Sequence, residues 1–118
     1  MTTQKYRDSS RHLLAQARAE LAAGDATQAS EKGWGAAALM LKAVAEERGW
    51  EHERHRHHFR TVGRLRSELG DGTITADFGV ANLLHENFYE DEFTSDHVAE
   101  SLDHVEALLN KLEPLLPQ

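Results

Sequence analysis

The sequence predicts an all-α protein: a compact up-and-down bundle of four to five helices, built as a single domain over residues 1–118. Only two prolines occur, Pro114 and Pro117, and both lie at the C-terminal end, so no proline interrupts the preceding helices. No segment has the strict alternation of paired strands. Glycines stand where helix C-terminal caps would fall, at Gly24, Gly49, Gly70 and Gly72.

The first two helices are predicted to form a hairpin. Apolar and small side chains recur on one side of the first helix from Tyr6 onward, and this helix ends near Gly24. Asp25 and Gln28 have the spacing of a capping box for the second helix, which runs to about Arg48. Its segment GWGAAALMLKAVA is apolar nearly all round, so we expect this helix to be central and buried. Its small residues would let a neighbouring backbone approach closely.

Three further helices follow. The third begins within HERHRHHFR and ends at the turn GDGT. The fourth opens at Ile74 or Thr75 and contains the stretch ANLLHENFYED. Thr94 or Ser95 caps the fifth, whose apolar residues alternate steps of four and three along the chain.

Composition excludes several classes of protein. The chain has no cysteine, so disulfides, thiolate metal sites and cysteine nucleophiles are excluded. Its polar start lacks the apolar run of a signal peptide, and no later stretch is long and apolar enough for a membrane span. We therefore expect a cytoplasmic protein with no membrane partner.

Charge is distributed unevenly along the chain, although the net charge is -7. Five arginines and three histidines lie between Arg54 and Arg66 without any acid, whereas residues 67–110 hold eleven acids and no lysine or arginine. The basic segment is either an ordinary solvated face or a phosphate-binding surface. For the second interpretation, the candidate nucleic-acid-binding residues are Arg54, Arg56 and Arg60.

The fourth helix places a histidine among apolar side chains. At about 100° per residue, His85 shares a sector with Phe78 and Leu84, Asn82 and Tyr89 lie at its margin, and Asn87 points elsewhere. One interpretation is a buried structural histidine bonded to a carbonyl or to the phenol. The other is a histidine that lines a cleft, where it can exchange protons near neutral pH.

The hairpin GDATQASEKGWGAAALMLKAVAEERGW, the stretch ANLLHENFYED and the segment VAESLDHVEALLNKLEPLL together resemble the HEPN superfamily, in its small branch typified by archaeal PaREP proteins. The resemblance covers residues 12–116. It implies a helical bundle, a homodimer, and a metal-independent endoribonuclease of the kind found among toxins and defence proteins. It also implies an RNA substrate and a cognate protein partner.

The ribonuclease motif of that superfamily is an arginine, often followed by a polar asparagine, and then, after four to six residues, a histidine. His85 matches the histidine, and Asn82 is the candidate for the motif's polar position. The arginine is absent, because residues 78–81 read FGVA. The missing cation could come from the arginines of the third helix, in the same or a partner chain, with Tyr89 or Glu90 orienting the imidazole.

Other patterns leave alternatives open. Arg7 with His12, and Arg48 with His55, have the motif's spacing but lie in other helices. The third helix also offers a group spaced for metal binding, although the intervening arginines repel a cation, so we predict no metal site and no cofactor; this group is His52, His55 and His58. Polar side chains on the second helix are predicted to form ion pairs between helices or across a dimer; these are Glu31, Lys32 and Lys42.

Two functions therefore remain open. The first is an RNA-associated or toxin-type component with catalytic His85, Asn82 and Tyr89. The second is a non-catalytic dimeric interaction or small-ligand-binding module in which the same residues hold the fold. A homodimer is predicted in both cases, because so apolar a second helix would exceed what short neighbours can cover.

Overall fold

The computed structural model describes residues 2–117 and confirms the predicted all-α bundle. Those residues contain no strand, and a short 3-10 turn at Glu113–Leu115 follows the last helix. The helices are α1 (Thr3–Ala22), α2 (Ala26–Arg48), α3 (His55–Leu69), α4 (Thr73–Glu90) and α5 (Ser95–Leu112). None of the described helices is both long enough and apolar enough to span a membrane.

Most helix ends follow the local signals in the sequence. Asp25 caps α2 by accepting a hydrogen bond from the backbone N–H of Gln28 over 3.0 Å, and Thr94 caps α5 in the same way. Gly49 adopts the left-handed conformation with φ 73°, as a C-terminal cap requires. Gly72 differs from its prediction, since it precedes α4 as its N-cap residue. Only residues 70–72 separate α3 from α4, so Gly70 caps the end of α3 and Gly72 directly precedes α4.

Helix α2 lies at the centre, as predicted, and the other four helices pack around it. Nearly all of its apolar side chains are buried within a single chain, with Met40 and Leu41 at 0% exposure. The surface on which the dimer prediction rests is therefore covered by the chain's own helices. At Gly33 the close neighbour is not a backbone but the Leu102 side chain, whose Cδ2 would lie 2.6 Å from an added Cβ.

Polar links between helices match the sequence analysis in part. Lys32 forms the expected interhelical ion pair, with Glu20 of α1 at 3.1 Å. Lys42 instead donates a hydrogen bond to the backbone carbonyl of His52 over 2.8 Å. The placement of Asn87 away from the core is wrong, because its side chain is buried. Helix α4 packs against both α2 and α5, so its buried sector is wider than its apolar stripe.

Candidate functional site

Two imidazole rings lie against the indole of Trp34, a buried residue of α2. The His55 ring stacks on the indole with centroids 5.0 Å apart, and the His85 ring lies 5.1 Å from it at 31°. The centroids of the two imidazoles are 5.9 Å apart, with the rings inclined by 29°. Three helices therefore bring two histidines, far apart in sequence, onto one aromatic surface.

Each imidazole is oriented by its own hydrogen bond. His55 Nε2–H donates to Asn82 Oδ1 over 2.9 Å, and His85 Nδ1–H donates to the Glu31 carboxylate over 3.3 Å. These bonds set the tautomers of the neutral rings, in which the nitrogen without a hydrogen is Nδ1 in His55 and Nε2 in His85. His55 is exposed and the His85 side chain is 31% exposed, so both can meet a solute.

Helical spacing explains why two residues of α2 and two residues of α4 contribute to this surface. Glu31 and Trp34 are three residues apart on α2, and Asn82 and His85 are three apart on α4, so each pair shares a helix face. His55 is the first residue of α3, where the chain enters the helix beside α4. We call these five residues the histidine-pair site: Glu31, Trp34, His55, Asn82 and His85.

Exposed aromatic rings extend the histidine-pair site at both ends. Phe59, which is 53% exposed, lies 5.4 Å from the His55 ring, and Tyr89, which is 71% exposed, packs edge-on against His85 at 5.6 Å. The rings of Phe59, His55, His85 and Tyr89 thus form a row across α3 and α4, which we call the aromatic row. Such a row offers stacking surface to flat ligands.

Three of the predicted site residues lie on this surface, whereas Glu90 forms no hydrogen bond to His85. His85, Asn82 and Tyr89 all belong to one surface, although Asn82 bonds to His55 rather than to His85. Glu90 is exposed, and the carboxylate that orients His85 is Glu31. Glu31 thus makes an interhelical contact, as predicted, but to a histidine rather than to a lysine or arginine, and its place beside His85 has no signal in the sequence.

The arginines of the basic segment lie outside the histidine-pair site. Within residues 2–117, no arginine forms a hydrogen bond or ion pair with His85. Arg54 precedes α3, Arg56 is exposed, and Arg60 lines a depression beside Trp50. Arg48, which has the motif's spacing to His55, instead binds Glu68 through two hydrogen bonds of 2.6 and 2.8 Å.

Comparison with known proteins places the chain in a family. A model of the archaeal PaREP1/PaREP8 family matches residues 5–109, which include the whole histidine-pair site. The chain belongs to the archaeal PaREP1/PaREP8 family. Neither the curated proteins nor the solved structures contain a match to it.

This PaREP1/PaREP8 chain does not gather His52, His55 and His58 into one metal-ligand set. His52 Nε2 lies 2.6 Å from Glu46, and its ring packs against Tyr6. The group with ligand atoms within 4.8 Å of one another is Glu51, Glu53 and His57. There, His57 Nδ1 accepts the Arg54 backbone N–H over 3.1 Å, so one of its two nitrogens is occupied, and Nε2 lies 3.0 Å from Glu51 Oε2.

His58 is a third histidine that contacts Trp34, with ring centroids 6.1 Å apart. Unlike His55 and His85, it is buried. Burial, with the nearby positive charge of Lys42 and of neighbouring histidines, lowers the pKa of His58 to about 4. Its Nδ1 is buried without a hydrogen-bond partner. His58 is therefore neutral at physiological pH and supports the site through packing.

Proposed function

We propose that this protein is a HEPN-type, metal-independent endoribonuclease in which His55 and His85 carry the protons. One observation carries the proposal: the two imidazoles lie 5.9 Å apart on Trp34, and separate hydrogen bonds orient them. The family match spans both histidines, at residues 5–109. Two accessible imidazoles on one surface are suited to acid–base chemistry on a phosphodiester.

The reaction is an intramolecular transesterification of RNA. His85 Nε2 accepts the proton of a ribose 2′-hydroxyl, and the 2′-oxygen attacks the adjacent phosphorus. The bond from phosphorus to the 5′-oxygen breaks, and the protonated His55 gives its Nδ1 proton to that leaving oxygen. The products are a 2′,3′-cyclic phosphate and a 5′-hydroxyl, and no metal or other co-reactant is needed.

Glu31 and Asn82 determine which nitrogen of each ring reacts. The Glu31 carboxylate holds His85 Nδ1–H and stabilises the imidazolium formed when Nε2 takes a proton. Asn82 holds His55 Nε2–H, which directs Nδ1 away from α4. Both act as positioning residues, and Tyr89 supports the edge of the His85 ring.

Binding and charge stabilisation are assigned to the basic segment and the aromatic row. Bases of single-stranded RNA stack on exposed rings such as Phe59 and Tyr89. The arginine that the HEPN motif would supply is replaced, in this proposal, by Arg54 and Arg56 at the start of α3. Arg60, the third arginine predicted to bind nucleic acid, lines the depression beside Trp50 instead. Guanidinium groups at the start of α3 would bind phosphates and offset the charge that develops on the reacting group.

A homodimer and a cognate protein partner complete the proposal. Four large apolar side chains on α3 and α4 are exposed in the single chain, two in the aromatic row and two outside it: Phe59, Tyr89, Leu69 and Leu83. A second copy packed there would cover these side chains and could bring its own arginines to the histidine-pair site. In a toxin-type system, a cognate protein would block the same surface.

Cleavage of a fluorescent single-stranded RNA in EDTA tests the proposal. Wild type should cut the RNA and leave cyclic phosphate ends, whereas His85→Ala and His55→Ala should each lose at least about a hundredfold in rate, the contribution typical of a general acid or base. His12→Ala is the matched control, because His12 is exposed on α1 and far from the site in sequence. Its rate should equal that of wild type.

Two results would reject the ribonuclease proposal. These are no cleavage by purified wild type in EDTA, and cleavage that His85→Ala leaves intact.

The exposed apolar side chains of α3 and α4 favour a second candidate function, a non-catalytic dimeric interaction module. In that case His85→Ala should lower stability by about 1–3 kcal/mol and change nothing in an RNA assay.

A further inference from the structure

A second concave surface lies on the opposite side of α3, beside Trp50. It is a cavity of about 200 Å³ that opens into a shallower groove along α3, because Trp50, Arg60 and Arg64 line both. We call the cavity and groove together the Trp50 depression. Its remaining lining includes Glu51, His57 and Thr61 in the cavity and Glu68 in the groove.

The groove carries unpaired positive charge. Arg60 and Arg64 are exposed, and neither has a carboxylate partner within residues 2–117. The acid in the groove, Glu68, is already bound by Arg48 through two hydrogen bonds of 2.6 and 2.8 Å. Two free guanidinium groups one turn apart suit a phosphate, whose oxygens accept paired N–H donors.

Trp50 adds a flat aromatic surface next to these cations. Its half-buried ring has the guanidinium carbon of Arg64 4.7 Å from its centroid and that of Arg48 5.4 Å from it. A guanidinium plane that stacks on an indole can itself be covered by another ring, as in the stacking of arginine on nucleobases. The ligand should therefore contain both a ring and an anionic group.

The lining and size of the cavity favour a single base that carries N–H donors on one edge. Glu51 lines the cavity with Oε2 3.0 Å from Nε2 of the buried His57, although its side chain is 74% exposed, so a carboxylate is available at the cavity mouth. A carboxylate repels phosphate but accepts N–H donors, and guanine presents two adjacent donors, N1–H and the 2-amino group, on one edge. The volume of about 200 Å³ lies below the roughly 300–1,000 Å³ of drug-sized pockets, which suits a single base.

We propose that the Trp50 depression is a binding site for a guanine nucleotide. The base lies in the cavity, stacked with Arg64 on Trp50, with its N–H edge toward Glu51. The phosphate lies in the groove on Arg60 and Arg64. This site is separate from the histidine-pair site and does not depend on RNA cleavage.

Titration with GMP, followed by calorimetry and tryptophan fluorescence, tests the site. We expect saturable binding, and Arg60→Gln with Arg64→Gln should weaken it at least tenfold, since both substitutions remove charge-assisted hydrogen bonds to the phosphate. Arg66→Gln is the matched control: it removes the same charge from the same helix but from a residue outside the depression. Its affinity should stay within about twofold of wild type.

Two further comparisons test whether the site prefers guanine to other ligands. AMP, which offers a ring nitrogen acceptor where guanine offers N1–H, should bind at least about tenfold more weakly than GMP, and Glu51→Gln should remove most of that preference. Inorganic phosphate should bind far more weakly than GMP. A short guanine-containing RNA that competes with GMP would identify the ligand as one residue of a strand, whereas failure to compete would identify it as a free nucleotide.

Three outcomes would overturn the proposal. These are the absence of GMP binding, an equal loss of affinity in Arg66→Gln and in the Arg60/Arg64 double variant, and phosphate or AMP binding as tightly as GMP. Circular dichroism and thermal melts of every variant establish that each one is folded before its affinity is interpreted. Because binding is measured without RNA cleavage, a negative result here leaves the ribonuclease proposal standing, and the converse also holds.

Discussion

The Asn87 carboxamide donates a hydrogen bond to the Ser30 hydroxyl over 2.9 Å and ties the end of α4 to α2. The same carboxamide accepts the backbone N–H groups of Glu92 and Phe93, each over 2.8 Å. These two donors follow the end of α4, so the side chain also shapes the turn toward α5. A single buried residue thus satisfies three polar groups, one in α2 and two in the turn after α4.

Replacing Asn87 with alanine should destabilise the protein by about 2–3 kcal/mol, because two backbone donors and the Ser30 hydroxyl would lose their partner. Urea unfolding followed by circular dichroism measures the loss. Asn110→Ala is the matched control, since Asn110 is exposed and bonds only to Arg11. It should change stability by less than about 0.5 kcal/mol. Equal effects of the two substitutions would contradict the structural role of Asn87.

His58 should make the fold sensitive to mild acid. Its pKa is about 4 in the folded protein, chiefly because of burial, against 6.5 in an unfolded chain. Between these values the unfolded state binds more protons than the folded state, so stability falls as pH drops from about 6.5 toward about 4. For this one residue we expect a loss of about 1–2 kcal/mol between about pH 7.5 and about pH 5.

The measurement is the free energy of unfolding at several pH values for wild type and His58→Leu. The leucine variant should show a shallower loss of stability in this pH window, because the titrating group is gone. Other groups titrate in both proteins, so the difference between the two curves is the informative quantity. His12→Ala, at an exposed position, should follow the wild-type curve. Parallel curves for wild type and His58→Leu would refute the prediction.

Two glycines inside helices should respond to alanine in opposite directions. An added Cβ at Gly33 would lie 2.6 Å from Leu102 Cδ2 and 3.1 Å from Leu84 Cδ1, whereas nothing lies within 4 Å at Gly79. Gly33→Ala should cost about 1–3 kcal/mol through overpacking. Gly79→Ala should stabilise by about 0.5–1 kcal/mol, because alanine favours the helix. Thermal melts decide, and stabilisation by both substitutions would show that Leu102 moves aside freely.

Oligomeric state tests the proposed second copy. Sedimentation at micromolar concentration should give twice the 13.2 kDa of one chain. Leu83→Glu should shift the protein to the monomer, because Leu83 is 45% exposed on the face proposed to be covered. Ala15→Glu, at an exposed position on α1, should leave the dimer intact. A wild-type protein that sediments only as a monomer would exclude the homodimer.

The helices themselves were determined locally, and the sequence was sufficient for them. Asp25 caps a residue three positions away, and Thr94 does the same, so both interactions can be recognised in a short window. The apolar segment of α2 likewise implies a central helix whatever surrounds it. The family resemblance can likewise be recognised from the sequence alone, because it rests on continuous segments of residues.

Tertiary structure alone decided which polar side chains meet. His85 and its partner Glu31 are separated by 54 positions, and His55 and Asn82 by 27, so no helical period relates them. Whether Asn87 is buried depends on α2 and α5 packing on both sides of α4, which a single helix's periodicity cannot contain. Local spacing sets the direction of a side chain from its own helix axis, but the groups it meets depend on how separate helices pack against one another.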